Sequence, residues 1–257
     1  MSWFDGFEGK TVLVTGASSG IGRATALAFG MSGARVALVA RRREALQEVA
    51  DEITEKGGEA LVAPADVTQP TAVRACLRMT RERFERIDIV VNNAGLLIPS
   101  RVIDLDPSDL DAMFDVNVFG ALAVMQEAIH VMQSQADGCI VNVASLAGRR
   151  GVTPLGGYCA SKFALVGLTE ALRTELHGSH LHVGLVLPGI VDTPMVHGAE
   201  ATSPSPGSGR RSSTCRPPGW YGRSSPPLAS GSSRSRFRPA PPRSKSWHRW
   251  RPASPIP

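Results

Sequence analysis

The sequence predicts an α/β fold in which a doubly wound parallel sheet is covered by helices on both faces. Over residues 11–187, short apolar segments rich in β-branched residues alternate with longer amphipathic segments. The short segments are apolar on both faces, which is typical of strands buried inside a parallel sheet. A glycine cluster follows the first of them, where such folds turn from strand into helix. Because crossovers between parallel strands are right-handed, we expect the strand order 3-2-1-4-5-6.

The individual elements follow from apolar patterning and from the residues that end each segment. The first strand covers 11–15 and stops at Gly16, and the first helix covers 21–31, with Gly33 as its C-cap. A long fourth helix begins near Pro107, because proline is favoured in the first turn of a helix. The remaining strands are predicted at 35–39, 59–64, 88–92, 139–143 and 181–187, and the remaining helices at 43–56, 71–86, 107–133 and 158–177.

The composition changes abruptly after about Gly198. Residues 1–200 hold 17 Lys and Arg against 23 Asp and Glu, whereas residues 201–257 hold 11 Lys and Arg and no acidic residue. The formal net charge of +5 therefore reflects the C-terminal part. A stretch this rich in Pro, Ser and Arg buries too little apolar surface to offset the entropy of ordering. We predict one folded domain over 1–198 and a disordered tail over 199–257.

Several classes of protein are not indicated by the sequence. The N-terminus lacks the basic and apolar regions of a signal peptide, and we expect no apolar run of membrane-spanning length. The four cysteines have neither metal nor disulfide spacing, which favours a reducing cytoplasm. His177, His180 and His182 are clustered in sequence, but far along the chain from the other polar motifs, and we expect no metal site.

The glycine cluster predicts a dinucleotide site. Its glycines lie in the first strand-to-helix turn, where unusual backbone angles let a pyrophosphate approach a helix N-terminus. A plain glycine-rich turn is the alternative. The candidate contacts in this turn are Gly16, Ser18, Ser19, Gly20, Ile21 and Gly22.

The end of the second strand favours NADP over NAD. An acidic residue at this position would bind the ribose 2′-hydroxyl of NAD, whereas arginine suits a 2′-phosphate. Arg41 and Arg42 stand there, in a run of three arginines that favours NADP, and the alternative is that they only begin a solvated helix. After the third strand, Asp66 and Val67 are placed to meet the adenine, and the alternative is that Asp66 only caps the loop.

Tyr158 and Lys162 form the motif that predicts the chemistry. Four residues apart in a predicted helix, they lie on one face about one turn apart. A phenol is a poor acid or base at neutral pH, and a nearby cation favours the phenolate and lowers its pKa. Two unrelated residues on an amphipathic helix would show the same spacing.

Together these motifs resemble the short-chain dehydrogenase/reductase family over about residues 7–198. The residues that carry the resemblance are Thr15, Gly16, Gly20, Gly22, the run 92–95, Asn117, Ser145, Tyr158, Lys162, Pro188 and Gly189. The resemblance implies a Rossmann-type enzyme that moves a hydride between NAD(P) and an alcohol or carbonyl compound.

The resemblance also implies a role for each position. Tyr158 would exchange the proton of the substrate oxygen, Lys162 would lower its pKa and hold the nicotinamide ribose, and Ser145 would polarise the substrate oxygen. Asn117 would support a proton-relay water that reaches Lys162, with a satisfied core asparagine as the alternative. Further cofactor contacts are implied for Asn93, Ala94, Gly95, Pro188, Gly189, Ile190 and Thr193.

The C-terminal tail stands where the family has a substrate lid and a seventh strand. We hypothesise a frameshift near codons 195–205, which would leave a cofactor-binding remnant of impaired activity. A genuine basic tail that binds nucleic acid is a weaker alternative, because its arginines are diffuse and interrupted by prolines. We expect a small-molecule substrate, no nucleic-acid or membrane partner, and a homodimer through the helices at 107–133 and 158–177.

Overall fold

A computed structural model of the chain describes residues 6–202, and in this range strands and helices alternate. The strands are β1 (Thr11–Thr15), β2 (Arg35–Val39), β3 (Glu59–Val62), β4 (Ile89–Asn92), β5 (Gly138–Val143) and β6 (Leu181–Val186). The helices are α1 (Gly20–Met31), α2 (Arg43–Glu55), α3 (Pro70–Phe84), α4 (Pro107–Phe114), α5 (Ala121–Met132), α6 (Gly156–Glu175) and α7 (Pro194–Thr202). The predicted elements are present, with ends that differ by a few residues.

The strands form a parallel sheet in the order β3-β2-β1-β4-β5-β6, which confirms the predicted order. β1 pairs with β2 on one side and with β4 on the other. The direction of winding therefore reverses between β1 and β4. In doubly wound sheets the crevice at the carboxyl ends of such strands is where ligands bind.

β1 shows how the sheet separates two apolar cores. Its five residues are all buried, and successive side chains point to opposite faces. Leu13 packs with residues of α3, α5 and α6, whereas Val12 and Val14 pack with residues of α1 and α2. Val12, Leu13 and Val14 each face an apolar core, which explains the uninterrupted apolar run in the sequence.

The long fourth helix is not the regular helix that was predicted over 107–133. α4 and α5 are joined without a break by a π-helical segment, Asp115–Gly120. A π turn closes its hydrogen bonds one residue later than an α turn, so the segment contains one extra residue. Apolar patterning does not reveal this insertion, because apolar residues continue on both sides of it, with Met113 of α4 in the cluster around Tyr158 and Ala121 of α5 in the core with Leu13.

The same helical run shows that the expectation about membrane-spanning length was wrong. Pro107–Met132 has 26 residues and is long and apolar enough, by length and composition, to cross a membrane. Half of its most apolar window is buried inside the fold. Ala121, Val124 and Ala128 belong to the core against the sheet, so the apolar composition is that of a core helix.

The last described element, α7, extends four residues into the range predicted to be a disordered tail. The rest of that prediction, residues 203–257, lies outside the described residues. Within the described part of the chain, β6 pairs only with β5, and Val186 at the end of β6 is 46% exposed. β6 is therefore an edge strand of the six-stranded sheet.

Candidate active site

The turn between β1 and α1 needs glycine at three positions for close packing. Gly16 has φ +68°, and a Cβ there would lie 2.8 Å from Asn93 Nδ2. A Cβ at Gly22 would lie 2.2 Å from the Gly16 carbonyl oxygen. Gly20 has φ +52°, and a Cβ there would lie 3.2 Å from Thr193 Cγ2. The turn therefore packs closely between the loop after β4 and the segment after β6.

The start of α1 is open to an anion. Its N-cap residue, Ser19, makes no side-chain capping hydrogen bond, so the first N–H groups of the helix have no side-chain acceptor. Such N–H groups, together with the positive end of the helix dipole, favour a phosphate ligand. The geometry fits the predicted pyrophosphate site.

Thr15 fixes the loop after β4 beside this turn, a role that the sequence analysis did not assign. Its Oγ1 accepts hydrogen bonds from the backbone N–H groups of Asn93 (2.9 Å) and Ala94 (3.0 Å). Asn93 Nδ2 donates to the Thr15 carbonyl oxygen at 3.0 Å. These three bonds hold the run after β4 against the turn after β1.

A cavity of about 320 Å³ lies above this turn and collects most of the predicted cofactor contacts. The predicted residues that line it are Gly16, Ser18, Ser19, Gly20, Ile21, Arg41, Arg42, Asp66, Val67, Asn93, Ala94, Gly95 and Thr193. Seven further lining residues were not predicted: Val39, Ala40, Thr68, Leu96, Val116, Pro194 and Met195. Gly22 lies beneath the turn and does not line the cavity.

The charged groups of this cavity differ in their partners. Asp66 Oδ1 accepts from the backbone N–H (3.0 Å) and the hydroxyl (2.9 Å) of Thr68, so it also caps its own loop, as the alternative interpretation had it. Arg41 and Arg42 are exposed, and among residues 6–198, whose side chains are described, neither forms an ion pair. Two unpaired guanidinium groups therefore border the cavity.

A second cavity of about 530 Å³ contains the predicted catalytic hydroxyls. Ser145 and Tyr158 line it, together with Pro188, Gly189 and Ile190, which were predicted to touch the cofactor. Ile21, Thr193 and Met195 line both cavities, so the two adjoin. Most of the remaining wall is apolar, including Leu97, Pro99 and Leu155.

Ser145 and Tyr158 are brought together by tight packing between the loop after β5 and α6. Gly148 lies in the short helical turn after Ser145, and a Cβ there would lie 2.8 Å from the Lys162 carbonyl oxygen. Ser145 Oγ accepts from the Ala147 N–H at 3.1 Å, and the Ser145 side chain lies close enough to the Tyr158 phenol to lower its pKa. The two hydroxyls therefore share one edge of the cavity.

The net shift of the Tyr158 pKa is upward, and Lys162 is not among the groups that cause it. Burial raises the pKa of the Tyr158 phenol, and the hydrogen bond to Ser145 offsets this only in part. Tyr158 is 8% exposed, so the loss of hydration penalises the phenolate more than nearby groups stabilise it. In this structure the pKa of Tyr158 therefore lies above its ordinary value, and the phenol holds its proton at neutral pH.

Lys162 lies deeper than Tyr158 and lines neither cavity. Its side chain is 3% exposed, and its Nζ donates to the Val143 carbonyl oxygen at 3.1 Å and lies 5.7 Å from the Tyr158 ring centroid. Burial lowers the pKa of Lys162 to about 8, because the ammonium loses its hydration. Lys162 therefore titrates close to the physiological range.

Asn117 lies in the π-helical segment, fully buried. Its Oδ1 accepts from the Leu96 N–H at 2.7 Å, and its Nδ2 donates to the Leu96 carbonyl oxygen at 2.8 Å and to Ser161 Oγ at 2.9 Å. The side chain is thus satisfied by protein groups, as in the alternative of a core asparagine. Ser161 in turn donates to the Tyr158 carbonyl oxygen at 2.8 Å, so Asn117 is tied to the helix that carries Tyr158.

A second buried polar chain was not foreseen. Asn92 and Asn142 are paired across β4 and β5, and Asn92 Nδ2 donates to Asn142 Oδ1 at 3.1 Å and to the Ala121 carbonyl oxygen at 2.9 Å. Asn142 Nδ2 donates to Thr169 Oγ1 at 2.9 Å. The chain links the central strands to α5 and α6. Its signal in the sequence was an asparagine at the same register in two apolar strands.

Comparison with known proteins shows which family the chain belongs to. The family model described as short chain dehydrogenase matches residues 10–204. A sorbitol dehydrogenase of Cereibacter sphaeroides is 37% identical over 195 residues, which are 76% of this chain and 75% of the relative. A crystal structure of a short-chain type dehydrogenase/reductase from Mycobacterium marinum superposes with a TM-score of 0.74 at 40% identity, covering 77% of this chain and 79% of that one.

Two further solved structures carry different cofactors. A short chain dehydrogenase/reductase from Burkholderia phymatum, solved with NAD, is 31% identical with a TM-score of 0.73, and the match covers 81% of this chain and 75% of that one. A variant of actinorhodin polyketide ketoreductase, solved with NADPH, is 34% identical with a TM-score of 0.72, and the match covers 75% and 74%. The chain belongs to the short-chain dehydrogenase/reductase family of NAD(P)-dependent oxidoreductases.

Proposed function

We propose that the chain interconverts a ketone or aldehyde and the corresponding alcohol, with Tyr158 as the general acid/base. One observation carries the proposal: Tyr158 and Ser145 line the same largely apolar cavity, and this cavity adjoins the first cavity, here called the dinucleotide cavity. A carbonyl group in the second cavity has a proton donor beside it. The nicotinamide of the bound cofactor supplies or accepts the hydride.

The residues around Tyr158 divide the remaining tasks. In the direction of reduction, the buried phenol holds its proton and can give it to the alkoxide as negative charge develops on the substrate oxygen. The Ser145 hydroxyl orients the same oxygen. Leu97, Pro99 and Leu155 supply an apolar wall that keeps water away from the reacting groups. Lys162 provides a positive charge behind the tyrosine, which favours the phenolate that remains after the proton is transferred.

We infer that NADP is preferred over NAD. Arg41 and Arg42 border the cavity at the end of β2 without an acidic partner in the described part of the chain. A guanidinium group matches the oxygens of a phosphate in a bidentate geometry. No acidic residue stands at the end of β2 to bind a free ribose 2′-hydroxyl, which further supports the preference.

Replacing Arg41 with alanine should weaken NADPH binding by about tenfold to a hundredfold and leave NADH binding nearly unchanged. The 2′-phosphate is present only in NADPH, so only this cofactor loses a charge-assisted hydrogen bond. Dissociation constants measured by titration calorimetry would check this. Arg43→Ala is the matched control, because Arg43 begins α2 and does not line the cavity. Equal weakening of both cofactors would show that Arg41 does not bind the 2′-phosphate.

Thermal unfolding of the full chain with no cofactor, NADPH or NADH tests the proposed function at its first step. A ligand that binds only the folded state, present at a hundred times its dissociation constant, adds roughly 2.7 kcal/mol of stability. We expect a cooperative transition whose midpoint temperature is raised more by NADPH than by NADH. We also expect the protein to oxidise NADPH when a ketone is added. A transition that responds to neither cofactor would contradict the proposed function, whereas a transition that responds to a cofactor in a protein without turnover would favour the impaired remnant.

We also propose a homodimer through the long helical run and α6. Phe119 is 54% exposed in the π-helical segment, and Phe163 is 46% exposed on α6. Two large aromatic side chains in water on adjacent helices are typical of a surface that a partner covers.

We further propose a cytoplasmic location, supported by the three free cysteines of the described residues, Cys76, Cys139 and Cys159.

A further inference from the structure

The wall of the second cavity is mostly apolar, and one of its residues is charged. Besides Ser145, Tyr158 and two threonines, its wall consists of aliphatic residues, prolines and glycine, and one charged side chain, Arg150, lines it. No acidic residue lines the cavity. Among the described residues of the wall, the formal charge is therefore that of Arg150, which lies in the loop after β5.

Arg150 differs from its neighbour Arg149 in having no partner in the described part of the chain. Arg149 forms an ion pair with Glu170 of α6 and does not line the cavity. Arg150 is exposed, and among residues 6–198, whose side chains the structure describes, its guanidinium makes no ion pair or hydrogen bond.

An unpaired guanidinium in an apolar cavity selects for an anion in the substrate. Its planar set of donors matches the two oxygens of a carboxylate. An apolar substrate that enters the cavity displaces water and thereby strengthens any ion pair formed at its edge. A neutral substrate of the same shape would leave the guanidinium without a partner and gain nothing from it.

We propose that the substrate is a ketone or aldehyde with an apolar body and a carboxylate. Arg150 binds this carboxylate while the carbonyl group lies at Tyr158 and Ser145. This inference rests on the proposed function and specifies its substrate class. Arg150 acts as a specificity-determining residue, because it touches the part of the substrate that does not react.

Binding of matched acid and amide probes tests the proposal without requiring turnover. The full chain, saturated with NADP⁺, is titrated with para-acetylbenzoate and with para-acetylbenzamide, which differ only in charge. A longer pair, the acid and the amide of para-acetylphenylpropanoate, covers a greater separation between ketone and anion. We expect the wild-type protein to bind the acid of at least one pair about tenfold more tightly than its amide.

Variants of Arg150 and Arg149 test whether Arg150 causes the preference for the acid. Arg150→Gln should weaken binding of the acid only, and thereby reduce the ratio of the two affinities to about one. Arg150→Lys should keep part of the preference for the acid, and Arg149→Gln should keep it in full. No preference for the acid in either pair, or a preference that survives in Arg150→Gln, would overturn the proposal. A preference that depends on Arg150 in a protein that reduces neither ketone would support the anion site and contradict the proposed reaction.

Discussion

Tyr158→Phe should lower turnover by about a hundredfold to ten-thousandfold, the usual contribution of a positioned general acid or base. The substitution removes the phenol that holds the transferable proton and keeps the ring. The ring fills its place in the small core formed with Met113, Ala147 and Cys159, so the fold should remain intact. Affinity for NADPH should change little, because Tyr158 does not line the dinucleotide cavity.

The measurement is steady-state oxidation of NADPH with a ketone, combined with calorimetric NADPH binding to the same preparation. Tyr221→Phe is the matched control, since Tyr158 and Tyr221 are the two tyrosines of the chain. We expect this control to keep wild-type turnover. If Tyr158→Phe retained more than about a tenth of wild-type turnover, another group would have to supply the proton.

Lys162→Met should change how stability depends on pH as well as abolish most turnover. Lys162 has a pKa of about 8 in the folded protein and an ordinary value near 10.5. Between these values the unfolded chain holds a proton that the folded chain has lost, so the free energy of unfolding rises with pH. The wild-type protein should gain up to about 3 kcal/mol relative to Lys162→Met as the pH rises from about 8 to 10.5.

Denaturant unfolding of both proteins at a series of pH values checks this. The comparison removes the contribution of the other titrating groups, because the two proteins share them. Lys56→Met is the control, since the Lys56 side chain is 45% exposed on the surface beside Glu52. It should follow the wild-type profile. Parallel profiles for wild type and Lys162→Met would show that the buried ammonium is not destabilised by burial.

The order of the sheet could be predicted from the sequence because two local signals agree on it. Strands buried on both faces need continuous apolar runs, as β1 shows, and the turn after Thr15 needs glycine where Asn93 and Gly16 approach each other. Most of the predicted cofactor contacts line a common cavity for the same reason, since the carboxyl ends of parallel strands meet at one edge.

The features that could not be predicted depend on tertiary environment. The direction of the Tyr158 pKa shift is set by burial, which residue spacing does not encode. The π-helical segment leaves no trace in apolar patterning, and the Asn142–Thr169 hydrogen bond joins residues 27 positions apart. Arg149 and Arg150 are identical in the sequence, and only the structure separates an arginine paired with Glu170 from one that lines a cavity.

The π-helical segment has a consequence for the way substitutions combine. Within its six residues, Val116 lines the dinucleotide cavity, Asn117 anchors α6 through Ser161, and Gly120 packs against Val67 at the far wall of that cavity. Residues that share one rigid turn do not contribute independently to the free energy. Changes in cofactor specificity made at Val67 or Val116 should therefore show epistasis with changes at Ser161, so the cofactor wall and the helix that carries Tyr158 should be varied together.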